Sequence, residues 1–409
     1  MLSNMGNVLA LTIGFAILGI LLYLRIHIGI ALSITALIIG FVSLGPASLP
    51  NIVINTIYNK TTTRLMFITA LILILILMYK ETGYINELGE SLRRILKKSI
   101  LSLIVIPAVM GLLPVTGGAL ISAPLVDIEG KKLGLSNPKK VFINIWFRHL
   151  IFLTYPLSQL IILTAALTGM SIWSIILRQI PIMVFMLIIG YLISFIKRED
   201  SKNDVDYGSK NNEVYIENRL YISLIRTLLP IAIPILMSIL VKLDLTLSIL
   251  IGIALLIFFS KPHYMVFKRI LGCNELYLVT LAAFGAMLLR NTIIYSGIQD
   301  FITSIMSGTY IHPILLMILL PVVLAILTGM TQSSLAISIP ILQTITDFTV
   351  REVSLVYISA FLGYLGAPTH LCLILTLNYF KSSLFAVYKY LIPANVVTLM
   401  FTVLLYFIW

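Results

Sequence analysis

Apolar residues run through this chain in continuous stretches rather than in alternation. Ten stretches approach the roughly 20 residues a helix needs to cross a bilayer. They are 5–25, 28–45, 64–82, 141–167, 171–196, 220–241, 244–260, 275–295, 352–379 and 388–409. Barrel strands would alternate apolar and polar positions over about ten residues, so the pattern predicts an all-α polytopic membrane protein. Two further apolar stretches, 98–127 and 309–345, carry small and hydroxyl residues at their centres. We read both as re-entrant hairpins, which enter the membrane and return to the same side. Non-helical backbone at that depth is tolerated only where it is buried in protein or lines a wet cavity.

The interruptions are paired. Gly111 to Pro124 matches Leu327 to Pro340, with Thr116 against Thr331, Leu120 against Leu335 and Pro124 against Pro340. Thr154 to Thr164 matches Gly366 to Thr376, which sets Pro156 against Pro368 and predicts broken helices at 141–167 and 352–379. Lys80 and Arg290 stand at the ends of two further spans. The offsets are 210 (80 to 290), 215 (116 to 331) and 212 (156 to 368), as in an old internal repeat with small insertions. Each half then holds five spans and one hairpin. An odd number of crossings inverts the second half, giving inverted repeats of roughly 1–197 and 216–409. Breakers at corresponding depths of two inverted halves point to a transporter binding site.

Charge orients these elements. Arg93, Arg94, Lys97 and Lys98 precede the first hairpin, and Lys131, Lys132, Lys139 and Lys140 follow it, so both its ends are expected in the cytoplasm. Asp300, Asp347, Arg351 and Glu352 flank the second hairpin weakly, which puts its ends outside. The basic segments 197–219, 261–269 and 380–389 go inside and the uncharged 168–170 outside. A multi-pass protein of the cytoplasmic membrane with both termini outside satisfies all of these. The polar stretch 197–219 reads as a flexible cytoplasmic linker. Ile85 to Lys98 reads as an amphipathic segment lying at the cytoplasmic interface.

Composition agrees with the pattern. Hydrophobic residues make up 59% of 409 and charged residues 11%, against about 45–50% and about 25% in soluble domains. The net charge of +12 sits in the short loops, where it orients the chain; it does not point to nucleic acid. Met5 to Arg25 lacks a basic leader region and a cleavage site, so it reads as a retained span. Cys273 and Cys372 lie in different segments without metal-binding spacing, and predict neither a disulfide framework nor a zinc site.

The order of elements is three spans, an interfacial segment, a hairpin with a hydroxyl tip, a broken span and one more span, then the same again inverted. This resembles the ion transporter superfamily, which includes divalent anion/sodium symporters, gluconate permeases and citrate carriers. Leu113 to Asp127 with Asn144 to His149 is similar, more closely, to a membrane family within it known only as a domain of unknown function. The resemblance implies an elevator mechanism. A mobile transport part, 98–196 and 309–409, would move against a scaffold, 1–97 and 220–308, that pairs as a homodimer. One departure stands out. The dicarboxylate symporters carry Ser-Asn-Thr at both hairpin tips. Here the tips read Val115, Thr116, Gly117, Gly118 and Thr331, Gln332, Ser333, Ser334. Neither dicarboxylate nor sodium therefore carries over.

A broken helix exposes unpaired N–H groups at one half and C=O groups at the other. The first attract anions and the second can hold cations. Candidate binding residues are Thr116, Gly117, Gly118, Thr154, Pro156, Ser158 and Gln159, with Thr331, Gln332, Ser333, Ser334, Gly366, Pro368, Thr369 and His370 in the second half. Arg148 and His149 stand eight and seven residues before Pro156, about 12 Å at 1.5 Å per residue. They read either as a gate and anion lure or, for Arg148, as a side chain snorkelling to the interface. His370 takes the slot of Ser158, either as a satisfied buried imidazole or as a substrate donor or proton carrier. No acid falls in the middle of a predicted span, whereas intramembrane bases do, and this favours an anion.

The expectation is a secondary transporter for a small carboxylate-type anion, coupled to sodium or protons, with membrane lipid and a second copy as partners. An exporter or channel-like permease of the same fold is the alternative. No H-E-x-x-H occurs and no intramembrane Asp pair is seen, so no enzyme is expected. An accessory subunit would want a docking domain, but the longest polar loop has about twenty residues. No cofactor or metal is expected beyond sodium at the hairpin tips.

Overall fold

The computed structural model describes residues 2–24, 26–96, 98–113, 118–196, 213–297 and 312–409. α1 (Leu2–Tyr23) and α2 (Ile28–Leu44) are apolar almost all round, as lipid-embedded helices are. α3 (Leu49–Tyr58) is a short connector. α4 (Lys60–Glu81) starts where the Asn59 side chain accepts from the Thr61 and Thr62 N–H groups. α5 (Tyr84–Ile95) is amphipathic. α6 (Ser99–Gly111) and α7 (Ala119–Lys132) are the arms of the first hairpin. α8 (Asn137–Leu150) and α9 (Gln159–Thr168) are two halves of an interrupted span, and α10 (Ile172–Phe195) follows.

The second half opens with α11 (Glu213–Leu240). α12 (Leu245–Ser260) is capped by Asp244, which accepts from the Thr246 N–H. α13 (Tyr264–Leu271) connects it to α14 (Asn274–Tyr295). α15 (Pro313–Thr328) and α16 (Thr331–Leu342) are the arms of the second hairpin, and α17 (Val350–Gly366) and α18 (Leu371–Phe380) halve a second interrupted span. A capping box starts α17, with Thr349 and Glu352 each serving the other's backbone N–H. α19 (Leu384–Ile408) ends the described chain. Seven of these stretches, one of them α17 and α18 taken together, are long and apolar enough to cross a membrane. The protein is an all-helical, multi-pass membrane protein.

The helix contacts come in matched sets. α1 packs on α2 as α11 does on α12; α2 on α14 as α12 on α4; and α3 on α14 as α13 on α4. Within the other helices, α6 packs on α7 and α8 as α15 does on α16 and α17. α7 packs on α18 as α16 does on α9, and α8 on α10 as α17 on α19. Along α8, every side chain from Lys140 to Leu150 is buried, and along α17 nearly every one from Glu352 to Leu365. The two interrupted spans are therefore the core around which the second group of helices assembles.

Several sequence expectations are corrected. The span predicted at 64–82 begins at Lys60, and the segments before α4 and α14 hold the helices α3 and α13 rather than plain loops. Lys389, assigned to a loop at 380–389, lies inside α19. The amphipathic segment 85–98 is helical from Tyr84 to Ile95, but its apolar residues Ile85, Leu88 and Leu92 are buried under α6, α7 and α11, so protein rather than lipid covers that face. Of the linker 197–219, residues 197–212 lie outside the described residues and the remainder is already helix.

Candidate functional site

Each interrupted span breaks at a proline that removes a backbone donor. After α8 comes a 3-10 turn, Ile151–Leu153, and the chain turns helical again only at Gln159, with Ser158 in the capping position. α17 stops at Gly366, and α18 starts after His370. The second hairpin turns at Gly329, whose φ of +65° L side chains rarely adopt. A Cβ there would sit 2.7 Å from Thr369 Oγ1 and 2.9 Å from the Thr369 carbonyl, so this hairpin tip rests on the second break. Thr369 Oγ1 also donates to the Ile326 carbonyl at 3.1 Å.

Two meeting points of helix ends result. At the first, the start of α16 meets the start of α9, and Gln332 Nε2 donates to Gln159 Oε1 at 3.3 Å. Gln159, Gln332 and Ser333 line a cavity of about 20 Å³ together with Thr69 of α4 and apolar residues of α2 and α14. That volume holds one water or one bare ion. The Oγ atoms of Thr331 and Ser333 are buried here with no hydrogen-bond partner among the described residues.

At the second meeting point, α6, α8, α17 and the start of α18 converge. A Cβ on Gly111 would lie 2.1 Å from the Arg148 carbonyl oxygen, so α6 and α8 touch backbone to backbone. Arg148 is 2% exposed. Its Nη2 donates to the Leu113 carbonyl over a long 3.4 Å, and its Nη1 has no partner among the described residues. The ion pairs of the described residues involve other cations, so no carboxylate neutralises it there. His149 Nδ1 lies 2.6 Å from the Ile145 carbonyl, and its Nε2 lies 3.4 Å from Tyr364 Oη. His370 is fully buried, with its ring centroid 3.9 Å from that of Tyr364 and 5.0 Å from that of His149. Neither of its nitrogens has a hydrogen-bond partner among the described residues.

Residues 6–409 match a family described as "Protein of unknown function (DUF401)". The chain belongs to DUF401. No curated protein matches it.

In this DUF401 member the sequence-predicted residues fall into distinct places. Thr116 and Gly117 lie outside the described residues, and Gly118 is buried just before α7. Ser158, Gln159, Thr331, Gln332 and Ser333 gather at the first meeting point. Arg148, His149 and His370 gather at the second. Thr154 donates to Met183 Sδ at 3.1 Å and lines, with Pro156, an open groove of about 1270 Å³ between α4, α9, α10, α11 and α12. The Arg64–Asp244 ion pair borders this groove. Ser334 is spent on structure, donating to the Pro321 carbonyl at 2.7 Å, and the Gly366 carbonyl accepts from Tyr388 Oη at 2.8 Å. Pro368 and Thr369 are exposed. Arg148 is not at an interface; the snorkelling reading is overturned by its burial.

Sequence reasoning missed Thr69, Asn144, Tyr364 and Cys372 as site residues. Asn144 accepts from Ser122 Oγ at 2.6 Å and donates to the Ala119 carbonyl at 3.1 Å and to Thr376 Oγ1 at 3.2 Å. It ties α7, α8 and α18 together. Its only sequence signal was an amide inside an apolar run. Tyr364 and Cys372 look like packing residues until the fold sets them beside Arg148.

Proposed function

We propose that this DUF401 protein is a secondary active transporter that moves a small anion by an elevator mechanism. Arg148 carries the reading. A guanidinium removed from water and left without a carboxylate is strongly unfavourable, and a small anion that arrives from solution supplies the missing charge and accepts from Nη1. Arg matches a carboxylate or similar oxyanion by its planar fork of donors. The starts of α7 and α18 lie near it, and helix starts also favour negative charge. Matched helix contacts support two inverted repeats within the ion transporter superfamily, with α6–α10 and α15–α19 as the moving part and α1–α5 and α11–α14 as the scaffold, paired as a dimer. The groove between the two groups, reaching Thr154 and Pro156, supports an access route from the side that loop charge assigns to the outside. The coupling ion is sodium or a proton, and the neutral oxygens of Gln159, Gln332 and Ser333 around the ion-sized cavity support sodium.

The test is thermal unfolding of the purified protein against a panel of organic and inorganic anions, with and without sodium. A ligand at 100 times its Kd adds about 2.7 kcal/mol to the native state. An anion that stabilises the wild type and also stabilises Arg148→Ala to the same degree would remove the basis for this reading. Uptake of the stabilising anion into liposomes under an imposed sodium or proton gradient then identifies the coupling ion.

A further inference from the structure

We propose that His149, His370 and Cys372 form a binding site for a soft monovalent metal ion of the copper(I) type, which joins the two interrupted spans. The inference goes beyond the transport reading and stands without it. One ligating atom from each of the three residues lies within 4.8 Å of the other two. Metal bonds of about 2.0–2.3 Å require ligand separations of roughly 3.3–4.0 Å. Side-chain rotations that draw the three atoms in by about 1 Å therefore close the site.

The surroundings already have the form of a metal shell. The Ile145 carbonyl can only accept, so His149 Nδ1 carries the proton and the Nε2 lone pair meets only the Tyr364 hydroxyl, over a long 3.4 Å that a metal can displace. Ligating histidines are held by such an outer hydrogen bond to a backbone carbonyl. His370 is buried with both nitrogens unpaired, a costly state for an imidazole. A metal bound at one of them removes part of that cost. Cys372 follows His370 by two residues, in the first turn of α18. Tyr364 Oη, 3.4 Å from His149 Nε2, borders the remaining coordination position.

Charge selects the ion. Binding a metal to Cys372 releases the thiol proton. A monovalent ion takes that proton's place, so the net charge beside Arg148 is unchanged. A divalent ion would add one positive charge next to a buried guanidinium that no described carboxylate offsets. Thiolate and imidazole together also suit copper(I). The bound ion would tie α8 to α18, and so one half of the chain to the other.

The experiment uses the full chain in detergent under anaerobic conditions, with Cys273→Ser removing the other free thiol. Copper(I) is titrated against a chromogenic chelator. One copper(I) per chain is expected, with affinity lowered at least about tenfold by each of Cys372→Ser, His149→Gln and His370→Gln, and with zinc(II) failing to compete at equal concentration. Affinity that falls only in Cys372→Ser means a lone thiol and overturns the site. Zinc(II) competing on equal terms overturns the charge argument. Should a histidine variant not fold, X-ray absorption of the copper-loaded protein decides: nitrogen and sulfur ligands support the site, and sulfur alone overturns it. None of these readouts needs an anion, so a failure here leaves the transport reading to its own test.

Discussion

The two meeting points of helix ends share a backbone plan and differ in chemistry. Each brings the second arm of a hairpin to the second half of an interrupted span, α16 to α9 in one case and α7 to α18 in the other. At matched positions, however, Ser158 faces His370, Gln159 faces Leu371, and Phe152 faces Tyr364, all at the offset of 212 that relates Pro156 to Pro368. His149 and Phe361 are exchanged in the opposite sense. One point is neutral, rich in amides and hydroxyls, with room for an ion or a water. The other is cationic and ringed by imidazole and phenol. The difference teaches that two sets of helix ends with similar contacts can carry different charge, and that single side chains decide which charge each set receives.

The largest expected effect tests the cationic point. Arg148→Ala should weaken binding of the transported anion by about 100-fold, as loss of a charged hydrogen bond of about 1.5–3 kcal/mol implies. Arg148→Met, which keeps most of the buried volume, should leave the melting temperature of the unliganded protein unchanged or raised, because a buried unpaired charge is removed. A fall of several degrees would show that Arg148 is instead held by a structural partner. Next come the two glycines. Gly111→Ala should strain the Arg148 backbone and Gly329→Ala the Thr369 contact, each destabilising by about 1–3 kcal/mol in a thermal or denaturant melt. The first acts on the Arg148 backbone itself and should weaken anion affinity more than the second, which acts through the break next to His370; equal losses would mean that break bears on the anion as directly as the first hairpin does.

Asn144→Val places at the clamp the residue that stands at the matched position 356. It removes three hydrogen bonds that tie α7, α8 and α18 together, leaving Ser122 and Thr376 only their contacts to the Ala119 and Cys372 carbonyls, and should destabilise by about 1–3 kcal/mol. A smaller effect would mean the two halves do not need different clamps. Gln159→Ala and Gln332→Ala should each act weakly, and a double-mutant cycle should give a coupling of about 0.5–1 kcal/mol. If the neutral point holds sodium, that coupling shrinks when sodium is replaced by potassium.

The smallest effect provides a baseline away from both points. The Arg93 side chain hydrogen-bonds Glu90 on α5, with Arg94 adding to it, and holds its carboxyl at about 2 against an ordinary 4.5. The folded state binds this proton less readily than the unfolded one. Its contribution to stability is therefore complete above pH 4.5 and lost as pH falls towards 2. The pair is only partly buried and solvent screens it, so the contribution is small. Glu90→Gln should flatten that part of the stability profile between pH 4.5 and 2 without touching anion affinity.

Much of this architecture was legible because helix breakers leave local marks. Prolines and hydroxyl clusters inside apolar runs marked where α6 gives way to α7, α8 to α9, α15 to α16 and α17 to α18. The connectors α3 and α13 were missed because a search for long apolar runs passes over short amphipathic helices. The site was legible only in part. Gln159 and Gln332 were found through their breaks, but Thr69 reaches them from a distant helix, which no spacing along the chain encodes. Ser334 matched the pattern as well as Ser333 did, and only packing shows that its hydroxyl is used by the Pro321 carbonyl. Arg148 was ambiguous because distance along a helix says nothing about what covers the side chain, and here α6 does.

The contact of Gly111 with the Arg148 backbone has an electrical side. On the transport reading, the guanidinium is bolted to the first hairpin, so its charge must travel whenever that hairpin crosses the membrane field. A unit charge moving through 100 mV changes the free energy by about 2.3 kcal/mol. Loaded with a monoanion, the moving part is neutral at this point and indifferent to voltage; empty, it carries a positive charge. The return of the empty carrier, rather than the passage of the cargo, is then the step that the membrane potential drives or holds back, and currents from protein-loaded membranes without substrate would register it.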